Sequence, residues 1–437
     1  MRLAVTLWVL GTLWAPAAAI RAEVEWSPVT GQFTARYMGY DEESPREDRK
    51  NFGEGELRLE ITGRLTEDLQ LVAIPLLQYD TADKTEDGFQ LHEDDIQRPL
   101  GTFEELHLTY YGKKFELAVG KQIFSWGVSQ GLKPTDNLNA ADFLDVPTLH
   151  KVGVPAVSFL RYGKIDVQVV VTPLFTPHRL PAPDNRWVIL PEEALEQIED
   201  ATGVRPDILI SRNLPEQTLD NAQAGVRLRS SSLVDGWDLE LSAFHGQDPF
   251  GLFSARLALN PVRVLVDASY PEYTEVGGGF STAAGRFTLH AEAVYHRTSH
   301  DIDDDYYQYV GGFDYTLDQG IPRALDRILL GVEYIGESVD NAHTRPATTF
   351  NTGFNRALVN SALGLIDFVF SEETTLRFGG GVNFNDEDFT ARAQIKHEIV
   401  EGFQIEAGID VFSGPTGTFY GTWQENDRVF VFSTYFF

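Results

Sequence analysis

The sequence predicts an all-β fold, a transmembrane antiparallel β-barrel of about 18 to 20 strands with one short helix in a long loop. Apolar and polar residues alternate with period two in segments of about ten residues, and such segments recur along the 437-residue chain. A tilted strand needs about 9–11 residues to cross a bilayer, whereas strands of soluble sheets average about five or six. Short and long connections alternate between the segments, which is typical of outer-membrane barrels.

The segment WDLELSAFHG shows the alternation clearly. Trp237, Leu239 and Leu241 share one face, while Asp238 and Glu240 lie on the other. Further segments alternate in the same way, and taken together their polar faces carry charges of both signs: 53–63, 286–297, 389–400 and 403–412. A soluble β-sandwich also has one polar face. The strand length and the charged polar faces favour a membrane barrel with a water-filled lumen.

Aromatic residues cluster near the predicted strand ends, which predicts girdles at the two membrane interfaces. They include Tyr37, Tyr40, Tyr110, Tyr111, Tyr306, Tyr307, Tyr309, Tyr435, Phe436 and Phe437. The final segment, DRVFVFSTYFF, resembles the terminal strand by which the bacterial barrel assembly machinery recognises its barrels. That resemblance makes the assembly machinery an expected partner through the strand that ends at Phe437.

The beginning of the chain predicts a secretory signal peptide over residues 1–22. A basic Arg2 precedes an apolar run, and small residues at Ala19 and Ala22 offer two cleavage sites that fit equally well. Residues 23–437 then form a single barrel domain in the outer membrane of a Gram-negative bacterium. The chain contains no cysteine, so burial and hydrogen bonding alone would hold this domain together.

The charge balance restricts the partners. The chain has 35 basic and 65 acidic residues, and its formal net charge is −30. Nucleic acid is excluded as a partner, because a phosphate backbone requires a basic surface. The expected partners are outer-membrane lipid, lipopolysaccharide and a small solute.

Two long connections stand out. Residues 125–155 contain Trp-Gly and Pro-Thr-Asp-Asn turn formers, and they predict a loop that folds inward and constricts the lumen. Residues 175–221 contain the segment PEEALEQIEDATG, which predicts a short helix that begins at Pro191 and ends at Gly203. By contrast, Asn260-Pro261 is predicted to be a short turn between two barrel strands.

The region from Gly120 to Leu160 resembles a widespread, largely uncharacterised group of porin-like outer-membrane barrels. Its members share a Gly-x-Gln…Trp-Gly strand end, a Pro-x-Asp-x-x-Asn turn and a Val-Pro strand start. The similar residues are Gly120, Gln122, Trp126, Gly127, Pro134, Asp136, Asn139, Val154 and Pro155. The resemblance implies an outer-membrane location and a pore-like shape, and it implies no particular substrate.

Two sets of residues are candidates for lining the pore. The loop supplies Trp126, Lys133, Asp136, Asn137, Asn139 and Asp142. The inward strand faces supply Arg58, Arg227, Arg229, Arg377 and Arg392, opposite several acidic residues. Opposed charges would set a transverse field across a lumen. A structural role is equally open: the loop residues could hold the loop together, and the charges could form salt bridges along the wall.

A weak cation site is also predicted, and no other cofactor is expected. Three carboxylates lie close together in the sequence, at Asp301, Asp303 and Asp305, and carboxylates at this spacing can bind Ca²⁺ or Mg²⁺. Their spacing lacks the glycine and the distal glutamate of a calcium-binding helix-loop-helix motif.

The predicted function is a porin-like channel for passive diffusion of small polar or amphiphilic solutes. One alternative is an export component that passes polysaccharide or lipid outward, and another is a barrel enzyme that acts on envelope lipids. The enzyme is disfavoured because no G-x-S-x-G motif is present. His290 and His296 would also lie about 20 Å apart along one strand.

Overall fold

A computed structural model describes residues 24–44, 46–190, 192–299, 303–346, 348–351 and 354–437. The predicted signal peptide and Asp301 lie outside these residues. No helix within the described ranges is long and apolar enough to cross a membrane.

Eighteen antiparallel strands close into a ring within this part of the chain. Each strand pairs with its neighbours in the sequence, and the first strand closes the ring by pairing with the last, with Gln32 opposite Phe436. The predicted barrel is confirmed. The strands are β1 Thr30–Tyr40, β2 Asn51–Thr66, β3 Leu69–Asp80, β4 Arg98–Tyr111, β5 Phe115–Gln122, β6 Val154–Arg161, β7 Asp166–Thr172, β8 Gln223–Ser230, β9 Trp237–Gln247, β10 Glu272–Ala284, β11 Phe287–Thr298, β12 Asp305–Leu317, β13 Arg327–Asn341, β14 Asn360–Val369, β15 Thr374–Asn383, β16 Asp388–Val400, β17 Phe403–Ser413 and β18 Arg428–Phe436.

The outer face of the ring is apolar and exposed. Leu241 is 62% exposed and Val276 is 57% exposed, and both lie at alternate positions of their strands. A protein dissolved in water would not display so many large apolar side chains around its whole circumference. Most of the predicted girdle tyrosines also lie on this face. Tyr40 and Tyr306 are exceptions. Tyr40 points inward and is only 6% exposed, and Tyr306 stacks on the inward-facing His296.

The two ends of the barrel differ. Tight connections such as 67–68 and 401–402 lie at the end where β1 begins and β18 ends, which we call the turn end. The longer connections lie at the opposite end, the loop end. They span residues 41–50, 81–97, 123–153, 173–222, 248–271, 342–359 and 414–427.

The connection between β7 and β8 contains the predicted helix. Helix α1 spans Glu192–Thr202, and Gly203 follows it with φ +73°, a conformation that favours glycine. Leu195 is 3% exposed and forms the buried part of its apolar stripe.

The expected short turn at Asn260-Pro261 is present, but its expected place between two barrel strands is wrong. It joins Leu252–Leu259 to Val262–Ser269 in a hairpin that lies outside the barrel, within the connection between β9 and β10. The second strand of this hairpin pairs in parallel with Asp207–Asn213. The hairpin shows the same alternation as the barrel strands, but a parallel pairing has no place in an antiparallel ring.

Candidate functional site

The connection between β5 and β6 folds against the inner face of the barrel. Its part from Phe124 to Asn139 is called the inner segment below. Four inward-facing glutamates on neighbouring strands hold this segment through hydrogen bonds. These wall glutamates are Glu240 on β9, Glu275 on β10, Glu292 on β11 and Glu333 on β13.

Glu292 makes the most contacts with the inner segment. Its carboxylate accepts hydrogen bonds from the backbone N–H groups of Val128 (2.8 Å), Ser129 (3.2 Å) and Thr135 (2.8 Å). It also accepts one from the Thr135 hydroxyl at 2.7 Å. Glu292 is only 2% exposed, so these bonds replace the water that would otherwise surround its carboxylate.

The contacts continue on both sides of Glu292. Glu240 accepts a hydrogen bond from the backbone N–H of Gly127 at 2.9 Å. Glu333 accepts bonds from the backbone N–H groups of Gln130 (2.6 Å) and Gly131 (2.8 Å). Successive N–H groups of the inner segment therefore all point at carboxylates, an arrangement that favours bound anions.

Glycines in the wall let the inner segment approach closely. A Cβ atom placed on Gly279 would lie 2.9 Å from Cγ2 of Val128. A Cβ on Gly225 would lie 2.7 Å from Cη2 of Trp126. Any larger residue at these two positions would push the segment away from the wall.

Trp126 fixes the start of the inner segment. Its side chain is 1% exposed, and its indole N–H donates to Oε1 of Gln168 at 3.1 Å. The guanidinium of Arg227 lies 5.6 Å from the centre of the ring and donates to the carbonyl oxygen of Ser125 at 3.0 Å. The loop is thereby anchored to β7 and β8.

Asn139 fixes the end of the same segment. It accepts a hydrogen bond from the backbone N–H of Phe124 at 2.7 Å. Its amide donates to the carbonyl oxygens of Gln122 (3.1 Å) and Val152 (2.9 Å). One asparagine thus ties the two ends of the loop together.

Beyond Asn139, Asp142 enters a buried network of charges. Arg98 donates to Asp142 at 2.8 Å, and Arg179 donates to it at 2.7 Å. Arg179 also pairs with Glu93 at 2.9 Å, and Glu93 pairs with Lys121 at 2.6 Å. Burial alone would raise the pKa of Asp142, but the two arginines outweigh it and hold that pKa well below its usual range.

Asp145 ties the same connection to the opposite wall. Arg428 on β18 donates to Asp145 at 2.8 Å and to Asp410 on β17 at 2.7 Å. The connection between β5 and β6 therefore reaches from the strands that carry the wall glutamates to β17 and β18. It crosses the interior of the barrel.

Five of the six loop residues predicted from the sequence are held by contacts within the protein. Trp126, Asn139 and Asp142 are 1%, 6% and 3% exposed, respectively. Such buried side chains fit the structural role that the sequence left open, rather than contact with a solute. Asp136 pairs with Lys151, and Asn137 donates to Glu275.

Lys133 differs from the other predicted residues of the loop. It is half-buried, and no ion pair of its side chain occurs among the described residues. It thus supplies a positive charge to the inner segment.

The strand arginines predicted from the sequence all lie on inward positions and all have acidic partners. Arg377 pairs with Asp367 through two contacts of 2.6 Å, while its side chain stays 45% exposed. Arg392 pairs with Asp410 at 2.5 and 2.8 Å. The remaining pairs are Arg58 with Glu60 and Glu104, Arg227 with Glu240, and Arg229 with Asp238.

A cluster of buried residues, all aromatic except Met38, packs at the loop end and is called the aromatic cluster. Trp187 and Trp423 are both 0% exposed, and their ring centres lie 5.6 Å apart. The cluster joins residues of several connections to inward residues of the wall: Met38, Tyr40, Phe52, Trp187, Phe354, Phe412, Tyr420, Trp423 and Phe430. These side chains hold the loops over the mouth of the barrel.

His178 makes this end sensitive to pH. Its Nδ1 accepts a hydrogen bond from the backbone N–H of Ala141 at 2.8 Å, and its ring lies 4.2 Å from that of Phe250. Burial lowers the pKa of His178 to about 3. Because this pKa lies below the value of about 6.5 for free histidine, folding favours the neutral ring. The stabilisation is complete above about pH 6.5 and is lost as the pH falls towards 3.

We therefore expect acidification from pH 7 to 4 to loosen the loop end, at a cost of up to about 1.4 kcal/mol per pH unit below 6.5. Tryptophan emission should follow the change, because Trp187 and Trp423 lie in the aromatic cluster. His178→Phe should reduce the pH dependence, whereas the control His397→Phe at the turn end should not. An identical acid response in all three proteins would contradict this role of His178.

The predicted cation site is partly occupied by other contacts. Arg345 pairs with Asp303 and Asp304, and Arg356 donates to Asp304 at 2.9 Å. Asp305 accepts a hydrogen bond from the backbone N–H of Thr298 at 2.9 Å. Within the described ranges, no group of three or more potential metal-binding side chains comes together. The cation site stays a prediction.

Several functional candidates were not identified from the sequence. Glu275 and Glu333 were not singled out, although they alternate with outward residues such as Val276 and Tyr334. The buried network adds Glu93, Arg98, Lys121 and Arg179. Its partners come from separate loops and strands, and no local pattern connects them.

No family model and no curated protein matches the sequence. Solved structures share its architecture. A BenF-like porin from Pseudomonas fluorescens Pf-5 aligns with a TM-score of 0.52 at 9% identity, over 95% of this chain and 98% of that chain. The chain has the fold of a bacterial outer-membrane porin. OccK11 (OpdR) of Pseudomonas aeruginosa aligns with a TM-score of 0.49 at 9% identity, over 93% of this chain and 95% of that chain.

At such low identity the likeness concerns the fold alone. The porin-like barrel implied by the sequence resemblance is confirmed, and the loop motif stays a prediction. The exposed apolar belt and the closed ring place the protein in the bacterial outer membrane.

Proposed function

We propose that the protein is an outer-membrane channel through which small polar solutes diffuse passively, and that the inner segment sets its narrowest part. The observation that carries this proposal is the attachment of the inner segment to one side of the wall by the wall glutamates. The other side presents the part-exposed guanidinium groups of Arg58, Arg377 and Arg392. A solute would pass between these two surfaces.

The charges in this passage are mostly compensated. The wall glutamates accept hydrogen bonds from the inner segment, and the arginines are paired with carboxylates. The acidic excess of the whole chain therefore does not decide the ion preference by itself. A few incompletely compensated groups next to the passage have the larger effect, since nearby charges dominate where water is scarce.

The histidines favour transport over catalysis. Nε2 of His290 forms a hydrogen bond with Glu333 at 2.8 Å. His296 stacks between Tyr273 and Tyr306, with ring centres 4.5 and 4.6 Å away. Both histidines thus have structural partners that belong to the wall and to the support of the inner segment.

Lys133→Glu is expected to shift the channel towards cations. The substitution replaces a positive charge with a negative one on the inner segment, and we expect the cation-to-anion permeability ratio to rise about threefold to tenfold. The reversal potential across a salt gradient measures this permeability ratio. The salt concentration should be about 0.1 M or below, because at 0.1 M salt screens charges beyond about 10 Å. Lys113→Glu changes the charge equally at the turn end and should leave the ratio unchanged. Equal shifts in both variants would place Lys133 outside the passage.

The channel itself is tested by single-channel recording of the refolded protein in a planar bilayer. Discrete conductance steps are expected. Folded protein can be recognised by its heat-modifiable migration in gels. A silent membrane with protein shown to be folded in this way would refute passive diffusion.

A further inference from the structure

A cavity of about 310 Å³ opens at the loop end beside β14 and β15. We call it the rim pocket. Four separate parts of the chain converge there, and the size is at the lower end of the range of about 300–1,000 Å³ for small-molecule sites. Its lining includes Ile189, Arg356, Asn360, Asn383, Asn385, Asp386 and Phe419.

Amide side chains dominate the polar lining of the rim pocket. Asn360 donates to Oδ1 of Asn385 at 2.8 Å and accepts from the hydroxyl of Tyr334 at 2.8 Å. These bonds fix the orientation of both amides. Because Oδ1 of Asn385 faces Asn360, its NH₂ group is available on the other side. The exposed carboxylate of Asp386 lies next to it in the chain.

Asn383 has a buried polar atom that lacks a hydrogen-bond partner within the described ranges. The residue is 3% exposed, and its Oδ1 accepts a hydrogen bond from the hydroxyl of Ser361. Its Nδ2 has no hydrogen-bond partner in the described part of the chain. Turning the amide by 180° would leave the oxygen unpartnered instead. An unmet buried amide atom is costly, and a ligand hydroxyl could satisfy either atom.

The charges around the pocket disfavour an anionic ligand. The guanidinium of Arg356 donates to Glu337 at 2.7 Å and to Asp304 at 2.9 Å, and it lies 4.6 Å from the ring centre of Tyr306. The positive charge in the lining is therefore already compensated. An anionic ligand would gain little from Arg356 and would be repelled by Asp386.

Apolar groups complete the lining. Ile189 and Phe419 contribute carbon surface among the amides. A site that combines a few fixed polar groups with apolar surface is suited to a ligand that has both hydroxyl groups and C–H faces.

We propose that the rim pocket binds a neutral polyhydroxylated solute, such as a monosaccharide or disaccharide. The amides can donate to and accept from adjacent hydroxyls, the carboxylate of Asp386 can accept from them, and the side chains of Ile189 and Phe419 would cover the C–H face of the ring. The proposal rests on the proposed function in one respect: it names the class of solute that would enter the channel at its loop end. Binding itself does not require a conducting channel.

The test uses the full-length mature protein in detergent with glucose and maltose as probes. Trp423 lies 4.7 Å from Phe419, so tryptophan emission should report occupancy of the pocket. Saturation-transfer NMR of the sugar provides a second readout. Choline and gluconate serve as charged probes of similar size. Saturable binding of a sugar is expected, and neither charged probe should compete with it.

Three variants locate the site. Asn385→Ala removes an exposed amide and should weaken sugar binding about fivefold to tenfold. Asn383→Leu fills the floor of the pocket with carbon and should weaken binding at least as much. Asn213→Ala removes an exposed amide elsewhere at the loop end and should have no effect.

The outcomes separate this proposal from the channel. Conductance without sugar binding would overturn the rim pocket and leave the channel standing. Sugar binding that is lost in the pocket variants, from protein that gives no conductance, would support the pocket and refute the channel. Equal binding in Asn385→Ala, Asn383→Leu and the unchanged protein would place the sugar elsewhere and overturn the proposal.

Discussion

Glu292→Gln is expected to detach the inner segment from β11 and to raise the single-channel conductance. The carboxylate of Glu292 accepts bonds from three backbone N–H groups and one hydroxyl. Hydrogen bonds to a charged group contribute about 1.5–3 kcal/mol each. A glutamine has one acceptor oxygen and would turn its NH₂ group towards other donors, so part of the set must be lost.

Single-channel recording is the measurement, and greater current noise should accompany the higher conductance because the segment becomes mobile. Glu406→Gln is the matched control. It makes the same chemical change on the inward face of β17, far from the inner segment in the ring. An unchanged conductance in Glu292→Gln, or an equal rise in both variants, would show that the segment does not set the narrowest part.

Asp142→Leu is expected to lower the free energy of unfolding by about 3–5 kcal/mol, because it leaves two buried guanidinium groups without their shared carboxylate. Arg98 and Arg179 both donate to Asp142, and all three residues are less than one-tenth exposed. Denaturant unfolding from lipid vesicles, followed by tryptophan emission, measures the change. Asp318→Ala breaks an exposed pair with Arg286 and should cost about 0–1 kcal/mol.

The effect of Asp142→Leu should not depend on pH between about 5 and 8. The pKa of Asp142 is depressed in the folded protein, so its contribution is complete above the unfolded value of about 3.9. It is lost only as the pH falls below that value. A loss in Asp142→Leu no larger than that in Asp318→Ala would mean that the network does not support the fold.

The barrel could be predicted from the sequence because its pattern is local. Alternation along each strand sorts residues such as Leu241 outward and Glu240 inward, and antiparallel neighbours follow from the chain order. The hairpin that contains Asn260-Pro261 was misassigned for the same reason. Its residues alternate equally well, and only its parallel partner, Asp207–Asn213, reveals that it lies outside the ring.

The candidate site could be predicted only in part. The sequence indicated an inward loop and inward charges, including Glu292, but it did not indicate what those charges bind. Their partners are backbone N–H groups about 110 to 200 residues away along the chain, from the contact between Gly127 and Glu240 to that between Gln130 and Glu333. Every residue except proline has such a group, so a sequence carries no mark of which ones are used.

The way in which the inner segment is attached has a consequence for how new specificities can arise. Most of its attachments to the wall glutamates come from the peptide N–H groups of residues 127–131. At Val128, Ser129 and Gln130 any residue except proline would provide the same N–H group. The groups that hold the loop in place are thus largely different from the side chains that would select the solute. The side chains of Gln130 and Lys133 can vary through evolution, or by design of a sensing nanopore, while the scaffold that carries them keeps its position.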